Sequence, residues 1–256
     1  MSRGRNHVPS SSGPEDVPKH FPALEETEHP VRRRGERQGD AADRCGVESR
    51  PVNKSDPHIV LGVDLAGSPR RPTGLCLLLG NRARTSVAFD DEEILALARK
   101  TGPALVAVDA PLHLPPGRSS IDDRNGQHFR LCDIELRRRK IRFFPVTLGP
   151  MRMLTVRGMM LKSRLEELGL RVVEIYPGGA QDVWGIPRAG HDLAGLLGGL
   201  RRLGIRGLGR KVTADELDAV SGALVGRLFL AGKADVLGDF ETGAIVMPPP
   251  PGDDHR

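Results

Sequence analysis

Ile59-Val60-Leu61-Gly62-Val63-Asp64 is the stretch that decides the fold, a run of aliphatic and β-branched residues that stops on an acid. Runs of this kind read as strands buried on both faces of a sheet. The pattern returns at Leu105-Val106-Ala107-Val108-Asp109 and at Val172-Val173-Glu174-Ile175, each with one acidic residue at or beside its end. A fourth acid, Asp218, lies in a helix-like stretch rich in small residues, Asp215-Glu216-Leu217-Asp218-Ala219-Val220-Ser221-Gly222-Ala223-Leu224. Carboxylates gathered at one edge of a sheet repel one another unless cations hold them together. A divalent-metal site is therefore the economical reading.

Working outward, strands are expected at 58–64, 74–79, 83–89, 104–109 and 171–175, with Gly80-Asn81 as a turn between the second and third. Asp90 or Asp91 is placed to cap a helix running to Lys100, with Ile94, Leu95, Leu97 and Ala98 on its buried side. The segment Pro111 to Gly126 carries three prolines and two glycines, so an irregular loop is expected. Helical patterns follow over 127–140 and 150–168, with Gly169 as a stop, and Tyr176-Pro177-Gly178-Gly179 reads as a turn. Residues 192–203 and 213–231 complete the helices, the last one opened by a Thr213/Glu216 capping box. This is a mixed α/β order, a hairpin meander feeding a parallel part.

The first 56 residues hold ten Lys/Arg and ten Asp/Glu and few aliphatic runs. They read either as a disordered extension or as a start placed too far upstream. The formal charge of +5 therefore lies in residues 57–256. One domain over 57–248 is expected, followed by a Pro-rich tail over 249–256. No run of 18 apolar residues exists, the N-terminus has no apolar signal core, and Cys45, Cys76 and Cys132 are isolated. A cytoplasmic protein without disulfides is the expectation.

The acids differ in strength of claim. Asp64 can be a turn-forming residue at a strand end, and Glu174 can point to solvent. Asp109 precedes Ala110-Pro111 in an extended context that buries it, and an unpartnered buried carboxylate costs several kcal/mol. Asp215 sits in the first turn after Thr213, where the helix dipole alone favours an acid. Asp218 aligns with Ala214, Ser221, Gly222 and Val225, small residues suited to packing on a sheet, and needs a partner there. Oxygen-only ligands suit Mg²⁺ or Mn²⁺. Two such ions about 3.5–4 Å apart activate a water and stabilise a leaving oxygen. The run Arg137-Arg138-Arg139-Lys140-Ile141-Arg142, with Arg152, Arg157, Lys162 and Arg164, offers phosphate attraction; a solvated helix face is the plain alternative.

Several motifs occur in order: Gly62-Val63-Asp64-Leu65-Ala66-Gly67, Val108-Asp109-Ala110-Pro111-Leu112, Arg130-Leu131-Cys132-Asp133, Glu174-Ile175-Tyr176-Pro177-Gly178, Asp215-Glu216-Leu217-Asp218-Ala219 and Glu241-Thr242-Gly243-Ala244-Ile245-Val246-Met247-Pro248. Over 58–248 the chain resembles domain-of-unknown-function family 429, described as predicted nucleases of the ribonuclease H fold. The resemblance implies a sheet ordered 3-2-1-4-5 with helices on both sides, which sets Asp64 beside Asp109. The Asp-x-x-Asp-Ala segment resembles that of Holliday-junction resolvases of the same fold. By that likeness Asp64, Asp109, Asp215 and Asp218 are expected as metal ligands and catalytic residues, with Glu174 as an auxiliary. Arg130 and Asp133, with Arg138 of the basic run, are expected at the substrate.

A metal-dependent nuclease holding two Mg²⁺ or Mn²⁺ ions, with nucleic acid as partner, is the leading expectation. An actin-like or sugar-kinase phosphotransferase is the first alternative, although Asp109-Ala110-Pro111-Leu112-His113-Leu114-Pro115-Pro116 holds no glycine until Gly117, where that class needs a second phosphate loop. A non-catalytic nucleic-acid-binding protein is the other. One Trp and one Tyr leave little material for stacking on bases.

Overall fold

Seven strands form one mixed sheet in the order β3-β2-β1-β4-β5-β7-β6 in the computed structural model, which describes residues 58–68 and 70–250. The expectations for the first 56 residues, for Cys45 and for the chain end beyond residue 250 fall outside them. β1 (Ile59–Asp64), β2 (Thr73–Leu79) and β3 (Arg82–Ala88) make the antiparallel meander. β4 (Leu105–Asp109) lies parallel to β1, and β5 (Val172–Ile175) parallel to β4.

The expected five-strand order is incomplete. β6 (Asp235–Asp239) and β7 (Gly243–Met247) form a hairpin whose second strand adds parallel to β5. β6 was hidden because Asp-Val-Leu-Gly-Asp lacks a continuous apolar run. Asp239 also supplies the turn: its carboxylate accepts from the Glu241 and Thr242 amides at 2.9 and 2.7 Å.

Helices cover both faces. α6 (Ala214–Leu230) starts at Thr213, whose hydroxyl accepts from the Glu216 amide while Glu216 accepts from the Thr213 amide, the capping box expected from sequence. It lies almost directly on the backbone of β1 and β2. A Cβ at Gly62 would stand 2.1 Å from the Ala219 carbonyl oxygen, and one at Gly74 2.0 Å from that of Asp215. Only glycine permits that approach. Val60, Ala107, Val173, Ile175 and Val246 face α6 in the same apolar core, joined by Leu196 and Leu200 of α5 (Leu193–Arg202). Side chains alternate along a strand, so the equally buried Leu61, Val63, Val106 and Val108 point the other way. On that side α1 (Asp91–Thr101) meets α3 (Gly149–Glu167). α2 (Leu131–Arg138) packs Cys132 and Leu136 against Leu237, Ile245 and Met247.

Two helix expectations change. The pattern read over 127–140 becomes helical only from Leu131, because Arg130 is held extended as the cap, its amide donating to the Asp133 carboxylate at 2.8 Å. The turn read at 176–179 is instead the start of α4 (Pro177–Val183), with Pro177 in the first helical turn, where its missing N–H is no loss. Residues 110–130 are irregular, as expected for Pro111–Gly126. Among the described residues no helix is long and apolar enough to cross a membrane.

Candidate active site at the carboxyl edge of the sheet

β1 and β4 run parallel with Asp64 directly opposite Asp109. Gly62 and Ala107, two residues earlier on each strand, lie against α6. The pleat therefore turns both carboxyls toward the helix that carries Asp215 and Asp218. All four acids are partly exposed, so they line a notch that solvent reaches.

The cluster is electrostatically unsatisfied. Burial first, then the charges of Asp218 and Asp215, raise Asp64 well above the usual carboxylate range, against the pull of a hydrogen bond from Asp109 and of Arg71. Asp109 is raised by burial and by the charges of Asp64, Asp218 and Glu174. Its carboxyl is also hydrogen-bonded to Asp64, and burial with mutual repulsion disfavours ionisation of both. Asp218 is pushed up to about 6, chiefly by burial and with help from Asp215, while the Gln181 amide and Arg188 pull it back. Like charges this close cannot all ionise without a cation.

The donors are carboxylate oxygens alone, a set that fits Mg²⁺ or Mn²⁺ and does not favour zinc. Among the described residues, no three His, Cys, Asp or Glu side chains close into a cage ready for a metal ion. One reason is visible at Asp218. Gln181, buried on α4, donates from Nε2 to Asp218 Oδ1 at 2.6 Å and to Ser221 Oγ at 3.0 Å. Gln181 went unnoticed in the sequence, since it lies just past the turn read at 176–179, where no helix was expected.

Glu174 belongs elsewhere. Val173 and Ile175 face α6, so Glu174 between them points through the opposite face, in register with Ile245. There Arg130, only 1% exposed, meets it with both guanidinium branches, Nη1 to Oε2 at 2.7 Å and Nη2 to Oε1 at 2.8 Å. The Leu112 amide donates to Glu174 Oε2 at 2.8 Å. Asp133 accepts from Arg130 Nε at 3.1 Å and Nη2 at 2.9 Å. Burial raises Glu174, with Arg130 and the Leu112 amide drawing it down, while Glu174 and Asp133 hold the buried Arg130 firmly protonated.

Arg130 and Asp133, expected at the substrate, and Glu174, expected as an auxiliary, form a closed ionic brace with one another. The brace ties α2 and β5 to Leu112, just past Asp109, and so positions the strand end from the other face of the sheet, where the Glu174 charge still acts on Asp109.

The basic residues divide as well. On α3, Arg157 pairs with Asp91 at 2.8 Å and donates to the Ala66 carbonyl at 2.5 Å, holding the turn after Asp64. Arg152 pairs with Asp122 and Arg164 with Glu92, and Lys162 meets His113 at 3.1 Å. These cations are spent on the protein itself. Arg138 is exposed at the end of α2. Its neighbours Arg137, Lys140 and Arg142 instead line a cleft of about 780 Å³ with Phe143, Phe144 and Tyr176.

The family model described as "Protein of unknown function (DUF429)" matches residues 62–242. No curated protein matches the chain.

Proposed function

Because the chain belongs to the DUF429 family, whose description assigns no activity, we propose its function from the site itself: hydrolysis of phosphodiester bonds in nucleic acid, dependent on a divalent metal. The observation that carries the proposal is the pairing of Asp64 with Asp109 across parallel strands, both facing the Asp215/Asp218 turn of α6. The first five strands lie in the order 3-2-1-4-5 with β1 to β3 antiparallel, which supports a ribonuclease H-like reading extended by the β6–β7 hairpin.

When bound, Mg²⁺ or Mn²⁺ ions supply Lewis acidity toward a phosphoryl oxygen and lower the pKa of a water. Asp64 and Asp109 would hold them, with Asp218 completing the set. Gln181 keeps Asp218 aimed at the edge until then and is free to release Oδ1, since its amide retains Ser221. Asp215, one turn earlier on α6, adds negative charge at Asp64 that would draw a second cation. Arg188 lends Asp218 a positive neighbour on the side where an anionic backbone would arrive.

Asp64→Asn and Asp109→Asn should each lower Mn²⁺- or Mg²⁺-dependent cleavage by about 10³-fold or more while preserving the fold. The measurement is cleavage of labelled DNA and RNA substrates alongside circular dichroism. A folded wild type that cuts none of them with either metal would sink the reading. The lack of a closed metal cage among the described residues favours one second reading, a non-catalytic nucleic-acid-binding protein. In that case chelator would leave nucleic-acid binding unchanged and no variant would alter a cleavage rate.

A further inference from the structure

The molecule is poor in aromatic residues, yet four of them converge on one cleft. Phe129, Phe143, Phe144 and Tyr176 line it together with Arg137 and Lys140. Phe144 is 68% exposed, an unusual position for a phenyl ring. Phe129 and Phe143 meet edge to face with centroids 6.2 Å apart, and the Arg137 guanidinium lies 4.1 Å above the Phe129 ring.

The cleft adjoins the acid notch through the backbone. Tyr176 follows Ile175 directly at the carboxyl end of β5, the strand beside Asp109. Its hydroxyl donates to the Arg142 carbonyl at 2.5 Å and accepts from Arg188 at 3.0 Å. On α4, Gln181 reaches Asp218 while its neighbour Asp182 holds Arg188 in the cleft wall.

One backbone feature points to use rather than packing. α2 ends in a Schellman motif: the Ile141 amide donates to Leu136 and the Lys140 amide to Arg137, both at 3.0 Å. The left-handed position of that motif belongs to glycine by default, but here Lys140 holds it, at φ 61°. Among the described residues Arg137, Lys140 and Arg142 make no ion pair with a carboxylate. Strain is thus tolerated to keep a cation in the wall that carries the exposed Phe144 ring.

We propose that this cleft is a track for single-stranded nucleic acid, the exposed Phe144 ring stacking a base and Lys140 and Arg142 holding phosphates on the way to the acid notch. The inference rests on the phosphodiesterase reading and deepens it by naming the substrate class. Rings and cations together fit a chain with both π-faces and phosphates. A duplex keeps its bases stacked inside and offers the rings nothing. An acidic peptide would engage the cations and leave the rings unused.

The test is fluorescence anisotropy of the full-length protein with labelled oligothymidylate, a labelled duplex and polyglutamate, all in chelator so that no cleavage is needed. The single strand should bind more tightly than the duplex. Phe144→Ala should weaken it about tenfold, and Phe144→Trp should restore it. Lys140→Gly should reduce the slope of log affinity against log salt by about 0.7 while melting no lower than wild type. Equal binding of the duplex, ring-independent binding, or polyglutamate bound with the same dependence on Phe144 overturns the track. If the wild type cuts nucleic acid but Phe144→Ala binds and cuts normally, the track fails and the hydrolytic reading survives. Ring-dependent binding of the single strand without metal-dependent cleavage by any preparation would sink the hydrolytic reading alone.

Discussion

The two faces of the sheet carry two carboxylate clusters, at adjoining strand ends, and they are opposites. On the α6 face, Asp64, Asp109, Asp215 and Asp218 are partly exposed and crowd one another, with the Gln181 amide giving relief at Asp218. On the other face, Glu174 and Asp133 are buried and fully engaged by Arg130. The same residue types at nearly the same level of the sheet thus do different work. What separates them is whether the charge is cancelled within the protein. A closed cluster braces the fold, whereas an open one asks for something from outside.

The largest effect expected from this contrast is at the brace. Glu174→Ala leaves the Arg130 guanidinium buried without its bidentate partner, and breaking such a pair costs about 3–5 kcal/mol. Urea denaturation would register it; a loss below about 1 kcal/mol would mean that the brace is not closed after all.

At the open cluster the sign reverses. Removing a charge by Asp109→Asn should stabilise the chelator-treated protein by roughly 1 kcal/mol, or about 2–4 °C in Tm. The pH dependence follows from the raised values of Asp64, Asp109 and Asp218. These groups bind protons more tightly in the folded state than their ordinary value of 3.8. Their contribution is therefore complete below that value and is lost as pH rises through the folded-state values, about 6 for Asp218. In chelator the melting temperature should fall across that window, and Mg²⁺ should flatten the fall. A chelated protein indifferent to both pH and Asp109→Asn would erase the difference between the clusters. The smallest effect is at Arg138, exposed and outside both: Arg138→Ala should shift stability by no more than about 0.5 kcal/mol.

Much of this was legible in the residues. β1, β2, β4 and β5 announced themselves as short aliphatic runs, because a strand buried on both faces has little other composition open to it. β3, Arg-Ala-Arg-Thr-Ser-Val-Ala, was legible instead from the Gly80-Asn81 turn before it. The Thr213/Glu216 box fixed the start of α6 for a local reason that tertiary structure did not disturb. Asp64 and Asp109 were readable because each ends such a run. The face taken by Glu174 was not legible: a strand-end acid looks the same whichever face it takes, and only packing of Val173 and Ile175 against α6 settles the side. Arg130 gave no local sign of burial, since Glu174, the partner that carries it into the sheet, lies 44 residues away. β6 was missed for its glycine and its two acids, and α4 because Pro-Gly-Gly is turn chemistry unless a helix is packed around it. The aromatic count, too sparse to suggest stacking, concealed where the rings converge.

The bare contact between α6 and the first two strands has a mechanical consequence. With Gly62 and Gly74 offering no side chains, main chain rests on main chain, and nothing in that contact can change rotamer. The span from the end of β1 to the first turns of α6 is therefore gauged by peptide planes, the stiffest parts a protein has. A single methyl at either glycine would act as a shim, lifting the helix and opening the notch between carboxylates that the fold otherwise holds at a fixed gap.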